Sequence, residues 1–188
     1  MSLYHTLFLL FLPLVLSMQH FSVGVSNACA VDKLKPGVPL KTSIAFAISA
    51  LMFFYAGYFL ASLLQKRIDP DATAWIVFVL MGLTGFRMIL HGWQKKSHLK
   101  VFEITHTSVV LALALALGVN MLFVGAALFF TEIHTMQFAF TLAAMILFFS
   151  FSGLHHGKQF GENMGWKLEI FSGFMVIAAG LSILRDLF

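Results

Sequence analysis

Two amide side chains lie inside long apolar stretches, at equivalent points of a short internal repeat. Residues 17–24 read SMQHFSVG and residues 118–125 read GVNMLFVG, so Gln19 aligns with Asn120 and one Val-Gly pair aligns with another. An amide in hydrocarbon costs several kcal/mol unless it is hydrogen-bonded. A single amide would be explained by a hydrogen bond that joins helices. Two amides at equivalent positions favour a shared polar cavity, and we interpret Gln19 and Asn120 as a candidate pathway for a small solute.

The residues beside the two amides could supply further ligands. His20 offers an imidazole, which binds first-row metals and can carry a proton, although a structural hydrogen bond explains a histidine within a span equally well. On a regular helix His20 points about 100° away from Gln19, so both would border one cavity only where the helix is irregular. Gln19, Asn120 and His20 are therefore the tentative metal ligands. The candidate site is completed by their neighbours, including two glycines for helix packing: Ser17, Met18, Met121, Gly24 and Gly125.

Six membrane helices are predicted to position these residues. The chain is 60% apolar and 11% charged, whereas a soluble domain carries roughly 25% charged residues. About 20 apolar residues are needed to cross the hydrocarbon core of a bilayer. Six stretches meet this condition and predict an all-α integral membrane protein: Leu3–Val31, Ser43–Leu64, Thr73–Trp93, Thr105–Phe130, Met136–Leu154 and Glu169–Leu187. The first is kept as a span rather than a signal peptide, because no Lys or Arg precedes its apolar run.

The distribution of positive charge predicts an orientation. The loops after the first, third and fifth spans carry eight Lys residues, whereas the opposite side carries three Lys or Arg residues, so both termini are expected outside the cell. Three spans in each half make the two halves opposite in direction. The sequence therefore predicts two inverted three-helix repeats, 1–94 and 95–188, which together form one membrane domain, as in many secondary transporters. Spans three and six match more weakly, with Gly85 against Gly180.

Four motifs together resemble the MntP-type manganese efflux pump family, within the LysE-like exporter group, over nearly the whole chain. The repeated segments 17–24 and 118–125 are similar to the family's SMDAFAV and SIDALAVG. Residues 85–89, GFRMI, resemble its GGRMI, and residues 167–173, KLEIFSG, resemble its KAEILGG. The resemblance implies a multi-pass exporter of manganese(II) in the plasma (inner) membrane of a bacterium.

The chain departs from the family pattern at the positions where the resemblance would place the metal. The two intramembrane aspartates of the family, regarded as metal ligands, are replaced by Gln19 and Asn120, and residues 43–64 contain no acidic residue. Manganese(II) favours carboxylate, carbonyl, water and imidazole ligands. We therefore expect export of a divalent cation, first of all manganese(II), by alternating access at a midplane site. The alternative is a transporter of the same fold for a monovalent ion, an amino acid or another small solute.

The sequence also bears on the energy source for transport, on the binding partners of the protein and on alternative functional classes. No nucleotide-binding loop is present, so a proton or other ion gradient is expected to drive transport. The lipid bilayer and the transported ion are the expected partners, with a homo-oligomer left open. The scattered basic residues do not predict nucleic-acid binding. Neither an enzyme nor a permanently bound cofactor is expected, because no nucleophile–base pair lies in the spans. A haem-bearing electron carrier is a minor alternative suggested by three histidines: His20, His106 and His155.

Other polar or small residues have structural interpretations. Arg87 lies near the predicted cytoplasmic end of span three, where its side chain can extend to the interface. His91 and the pair His155-His156 occupy interfacial positions, which suit a polar ring. Four glycines recur every fourth residue and predict one smooth helix face for close packing: Gly153, Gly157, Gly161 and Gly165.

Overall fold

Six long helices make up the fold. The computed structural model describes residues 3–31, 37–68, 70–97, 106–131 and 133–187, and this part of the chain contains no strand. The helices are α1 (Leu3–Ala30), α2 (Val38–Leu64), α3 (Pro70–Ser97), α4 (Thr107–Phe129), α5 (Thr135–Phe160) and α6 (Glu162–Leu187), with a short 3-10 turn (Gln65–Arg67) after α2. Each contains a stretch of 21 to 27 residues that is long and apolar enough to cross a membrane. The prediction of an all-α protein with six membrane-spanning helices is confirmed.

Four helices are longer than the sequence predicted: α2, α3, α5 and α6. Helix α5 continues through the polar residues beyond Leu154 and ends at Phe160, where Gly161 takes a φ of 71°. This left-handed conformation is open to glycine because it has no Cβ, and it stops the helix. The expectation that four glycines share one helix face is therefore wrong. Gly153 and Gly157 lie on α5, whereas Gly165 lies on α6 beyond the break.

The helices are packed as three tight pairs, which are α1–α5, α2–α4 and α3–α6. Glycines allow the backbones in these pairs to touch. A Cβ added to Gly57 of α2 would collide with the backbone carbonyl of Leu122 in α4, and a Cβ added to Gly153 of α5 would meet the carbonyl of Phe21 in α1. Close approach of small residues is the usual basis of helix association in lipid, where the hydrophobic effect between helices is absent.

The direction of the helices in each tight pair follows from the residues that face each other. In α2–α4, Ser49 Oγ donates a hydrogen bond of 2.8 Å to the carbonyl of Ala114, and Gly57 faces Leu122, so these helices run parallel. Helices α1 and α5 are also parallel, whereas α3 and α6 are antiparallel, as the facing residues show: Phe21 with Gly153, Ala28 with Gly157, Gly85 with Gly173, and Gly92 with Trp166. These directions agree with a chain that crosses a membrane six times in alternation.

Three looser contacts join the tight pairs into a ring. They are α1–α6, α2–α5 and α3–α4, and we call them the seams. Each tight pair takes one helix from residues 1–94 and one from residues 95–188, so neither half packs chiefly on itself. Exchange of the halves maps the tight pairs and the seams onto themselves, as an inverted repeat would require. The inverted repeat and the orientation of the termini stay predictions. The reciprocal contact of Gly85 with Gly173 favours Gly173, rather than Gly180, as the counterpart of Gly85.

Helix α1 lies deepest in the molecule. About 72% of its apolar span is buried, compared with 33% to 44% for the other five. The outer faces of the other helices carry large exposed apolar side chains, such as Met52, Phe59, Phe140 and Phe148, which suit contact with lipid tails. The fold therefore places the polar residues of α1, including Gln19 and His20, in the interior of the protein.

Candidate functional site

The two amides of the sequence repeat meet inside the protein. Asn120 Nδ2 of α4 donates a hydrogen bond of 2.8 Å to Gln19 Oε1 of α1. The exposed fractions of Gln19 and Asn120 are 3% and 1%. Helices α1 and α4 form neither a tight pair nor a seam, so the amides join helices that otherwise have little contact. The bond satisfies polar groups that would be costly to bury alone.

Arg87 of α3 extends the amide pair into a chain of hydrogen bonds. Its Nη1 donates to Asn120 Oδ1 at 2.9 Å and its Nη2 donates to the carbonyl of Ala116 at 3.2 Å. The expectation that Arg87 extends to the membrane interface is wrong, because two acceptors of α4 lie within its reach. The oxygens of Asn120 and Gln19 both accept N–H groups, and the charge beside them is positive. A cation at this pair would have to displace the guanidinium.

His20 is enclosed but does not join the amide pair. Its exposed fraction is 1%, and its ring packs on Phe46 of α2 with the ring centroids 5.8 Å apart. Its Nδ1 makes no hydrogen bond of normal geometry within the described part of the chain. Helix α1 is continuous from Leu3 to Ala30, so the irregularity that would turn Gln19 and His20 toward one cavity is not present.

The other predicted site residues line the helices on either side of the amides. Ser17 Oγ donates to the carbonyl of Leu14 at 2.7 Å, one turn earlier in α1. Met121 is buried, and Met18 is half-buried. Both predicted packing glycines lie at close helix contacts in the tight pairs: Gly24 faces the carbonyl of Ser150, and Gly125 faces the carbonyl of Phe54.

A second polar cluster, which the sequence analysis did not identify as a site, is built around Glu169 of α6. Glu169 Oε1 lies 2.6 Å from His91 Nδ1 of α3, and Glu169 Oε2 accepts a hydrogen bond of 2.8 Å from Ser22 Oγ of α1. The side chain of Glu169 is 0% exposed, whereas that of His91 is 48% exposed. The available signal was a lone acidic residue among apolar neighbours. Glu169 stands in a motif that resembles the family's and at the predicted start of the last span, whereas α6 begins seven residues earlier.

The remaining histidine candidates stay apart from both clusters. His155 stacks on Phe151 with the ring centroids 5.6 Å apart, one turn before α5 ends, and His155 and His156 are exposed. His106 lies at the start of α4. Within the residues that the structure describes, no three His, Cys, Asp or Glu side chains come together as a metal site would require. A metal ligand set in this region would therefore include amide, hydroxyl or carbonyl oxygens.

Comparison with known proteins assigns the fold to a family. The family model described as "Mntp: Putative manganese efflux pump" matches residues 33–184. The chain belongs to this family. The resemblance of the four sequence motifs to MntP-type pumps is thereby confirmed.

Curated relatives carry the same MntP description over nearly their whole length. A "Putative manganese efflux pump MntP" from Elusimicrobium minutum is 31% identical, over 95% of this chain and 96% of the relative. A relative of the same name from Photorhabdus laumondii is 26% identical, over 99% of this chain and 95% of the relative. Another from Rippkaea orientalis is 30% identical, over 94% of each chain. No solved structure matches the chain.

Proposed function

We propose that this MntP-family protein exports a divalent metal cation, first of all manganese(II), across the plasma (inner) membrane of a bacterium. Membership of the family and the names of the relatives support the class of activity. The six apolar helices supply the membrane-spanning body. The substrate and the direction are proposals for this chain.

The hydrogen bond between Gln19 and Asn120 is the observation that carries the proposal. The two side chains come from different halves of the chain, near the middle of α1 and α4, and inverted-repeat transporters bind their substrates at such a midplane position. Amide oxygens can coordinate a cation but do not neutralise its charge. Binding there would be weak, which suits a site that must release its ion.

Alternating access in this fold would move helix pairs rather than whole halves. A rigid motion of one half against the other would separate all three tight pairs, because each contains a helix from both halves. Each of the looser seams is crossed by a side-chain hydrogen bond that can break and re-form. These bonds are Arg87 to Asn120 across α3–α4, Ser22 to Glu169 across α1–α6, and Ser43 Oγ to Ser150 Oγ at 3.3 Å across α2–α5. We propose that the seams open in turn, with a proton or other ion gradient as the energy source.

The environment of Arg87 favours a second candidate function. A guanidinium beside two amides is well suited to a carboxylate, which it can bind through two parallel hydrogen bonds. A solute that carries a carboxylate, such as an amino acid, would therefore meet complementary charge at this position. A monovalent ion or another small solute belongs to the same alternative.

Transport by the purified protein in proteoliposomes tests the proposal, with manganese(II) compared against cobalt, zinc and magnesium. The double variant Gln19→Ala, Asn120→Ala is expected to lose manganese movement. Asn27→Ala is the matched control, because Asn27 is a buried amide of α1 whose side chain donates a hydrogen bond of 2.8 Å within its own helix, to the carbonyl of Val23. Transport that survives in the double variant would refute the site. A protein that moves an amino acid and no divalent cation would establish the second candidate.

A further inference from the structure

We propose that Glu169, His91 and Ser22 form a binding site for a divalent cation, which the ion occupies before it reaches Gln19 and Asn120. The three side chains come from α6, α3 and α1 and already touch one another through the carboxylate. The role of this site in transport rests on the export function proposed above. The binding itself is a separate property and can be measured without transport.

The ligand chemistry of this cluster suits manganese(II) better than the amide pair does. Carboxylate and imidazole are among the ligands that this ion favours. Glu169 is the only acidic residue within the six membrane-crossing stretches, so it supplies negative charge where the amides supply none. Each carboxylate oxygen has a second metal-binding group beside it, the His91 Nδ1 at 2.6 Å and the Ser22 Oγ at 2.8 Å. A cation placed among them would exchange hydrogen bonds for metal bonds.

The exposure of His91 would give the ion a way in. The half-exposed ring of His91 lies outermost, and the carboxylate of Glu169 behind it is fully enclosed. An ion could therefore meet the imidazole first and shed part of its water before it reaches the carboxylate.

The cluster lies about one helical turn from the amide pair, on the predicted cytoplasmic side. His91 follows Arg87 by four residues on α3, and Ser22 follows Gln19 by three residues on α1. At about 1.5 Å per residue, these steps correspond to roughly 6 Å and 4.5 Å along the helix axes. Both steps run toward the ends of α1 and α3 that the charge distribution predicts to be cytoplasmic. An exporter needs its first binding site on that side.

A cation at this site would act on the hydrogen bonds that hold two seams. It would take the place of the Ser22 bond across α1–α6. It would also repel the guanidinium of Arg87 one turn away, and such repulsion is strong where the effective dielectric constant is low. Repulsion would weaken the bond from Arg87 to Asn120 and leave the amide oxygen available to the ion. The positive charge beside the amide pair then works as a gate that the arriving cation itself displaces.

Manganese(II) binding to the purified full-length protein in detergent, followed by electron paramagnetic resonance with manganese chloride as the probe, tests the site. We expect Glu169→Gln to weaken binding by at least about tenfold, because the loss even of a group that only supports a metal ligand costs about 10- to 100-fold in affinity. His91→Ala should weaken binding by about tenfold and remove the nitrogen signal of a coordinated imidazole from pulsed spectra. Ser22→Ala should have a smaller effect in the same direction.

Matched controls separate this result from general damage. Ser26→Ala removes another hydroxyl of α1, one turn from Ser22, and His155→Ala removes an exposed imidazole of α5. Both should bind manganese(II) as the wild type does. If Glu169→Gln does not fold, His91→Ala still decides, because its side chain is half exposed and its removal leaves the core intact.

Failure of the site and failure of the export function are distinct outcomes. Wild-type affinity in both Glu169→Gln and His91→Ala, or a wild-type protein that binds no manganese(II), would overturn the site. Binding that depends on Glu169 in a protein that moves no manganese(II) would uphold the site and overturn the export function. Transport of manganese(II) by the protein, together with manganese(II) binding that Glu169→Gln leaves unaffected, would uphold the export function and overturn the site.

Discussion

The close packing of the tight pairs predicts a large effect of adding one methyl group at a glycine. A Cβ on Gly57 would overlap the backbone carbonyl of Leu122, and a Cβ on Gly153 would lie 2.6 Å from the carbonyl oxygen of Phe21. Backbone atoms cannot rotate away as a flexible side chain can, so α2 must move from α4 in one variant and α5 from α1 in the other. We expect Gly57→Ala and Gly153→Ala to be strongly destabilising, with Gly57→Ala the worse.

The expected magnitude follows from the cost of overpacking. Insertion of a methylene group into a well-packed core costs about 1–3 kcal/mol. This corresponds to about a 5- to 150-fold increase in the equilibrium constant for unfolding, since about 1.4 kcal/mol is a factor of ten. The two glycines lie in different tight pairs and face different residues, so the cost in the double variant should be close to the sum of the two.

Reversible unfolding in mixed detergent and dodecyl sulfate micelles, followed by tryptophan fluorescence, measures the effect. Gly82→Ala is the matched control, because a Cβ at Gly82 of α3 would meet no heavy atom within 4 Å apart from the neighbouring residues and nearby backbone of its own helix. The unfolding midpoint of that variant should equal or slightly exceed that of the wild type, since Ala favours a helix over Gly by up to about 1 kcal/mol. Equal unfolding midpoints for Gly57→Ala, Gly153→Ala and Gly82→Ala would refute the packing of the tight pairs.

Two further predictions concern the guanidinium and the orientation of the chain. Arg87→Ala should reduce the free energy of unfolding by about 1 kcal/mol, as is typical of a net hydrogen-bond contribution. In the Arg87→Ala background, Asn120→Ala should then reduce the free energy of unfolding by less than it does in the wild type. Additive reductions would show that the two side chains do not interact. In a Cys29→Ser background, Lys66→Cys should react with a membrane-impermeant maleimide on intact cells and Lys158→Cys should not. The reason is that the loops that follow the second and fifth spans are predicted to lie on opposite sides of the membrane. The opposite labelling pattern would reverse the predicted orientation.

The helices could be predicted from the sequence because their signal is averaged over many residues. Six apolar runs of sufficient length leave few alternatives to six spans, and all six were found. Their ends were less certain, since α5 stops at Gly161 through a backbone conformation that apolar composition does not reveal. The pairing of helices across the two halves was also out of reach, because glycine contacts such as that of Gly57 with Leu122 join residues far apart in the sequence.

The amide pair of the candidate site could be predicted from the internal repeat. The contacts that long side chains make between helices could not. The equivalence of Gln19 and Asn120 placed two amides at one depth, and the structure joins them directly. Arg87 was misinterpreted because a long side chain can extend either to the interface or to a neighbouring helix, and sequence position alone does not decide between these. Glu169 was overlooked because His91 and Ser22, which surround it, come from two other helices.

The residues that depart from the proposed symmetry would bias the side from which a cation first binds. If α3 and α6 are related through the reciprocal contact of Gly85 with Gly173, Arg87 corresponds to Met175 and Glu169 corresponds to Met81. Both charged residues then lie on the predicted cytoplasmic side of that contact, and their apolar counterparts lie on the outer side. Packing that is equivalent on the two sides does not distinguish them, whereas this uneven charge does. The energy source sets the direction of net transport. A cation would meet a carboxylate and a displaceable guanidinium from the cytoplasm, and would leave past methionine side chains that have little hold on it.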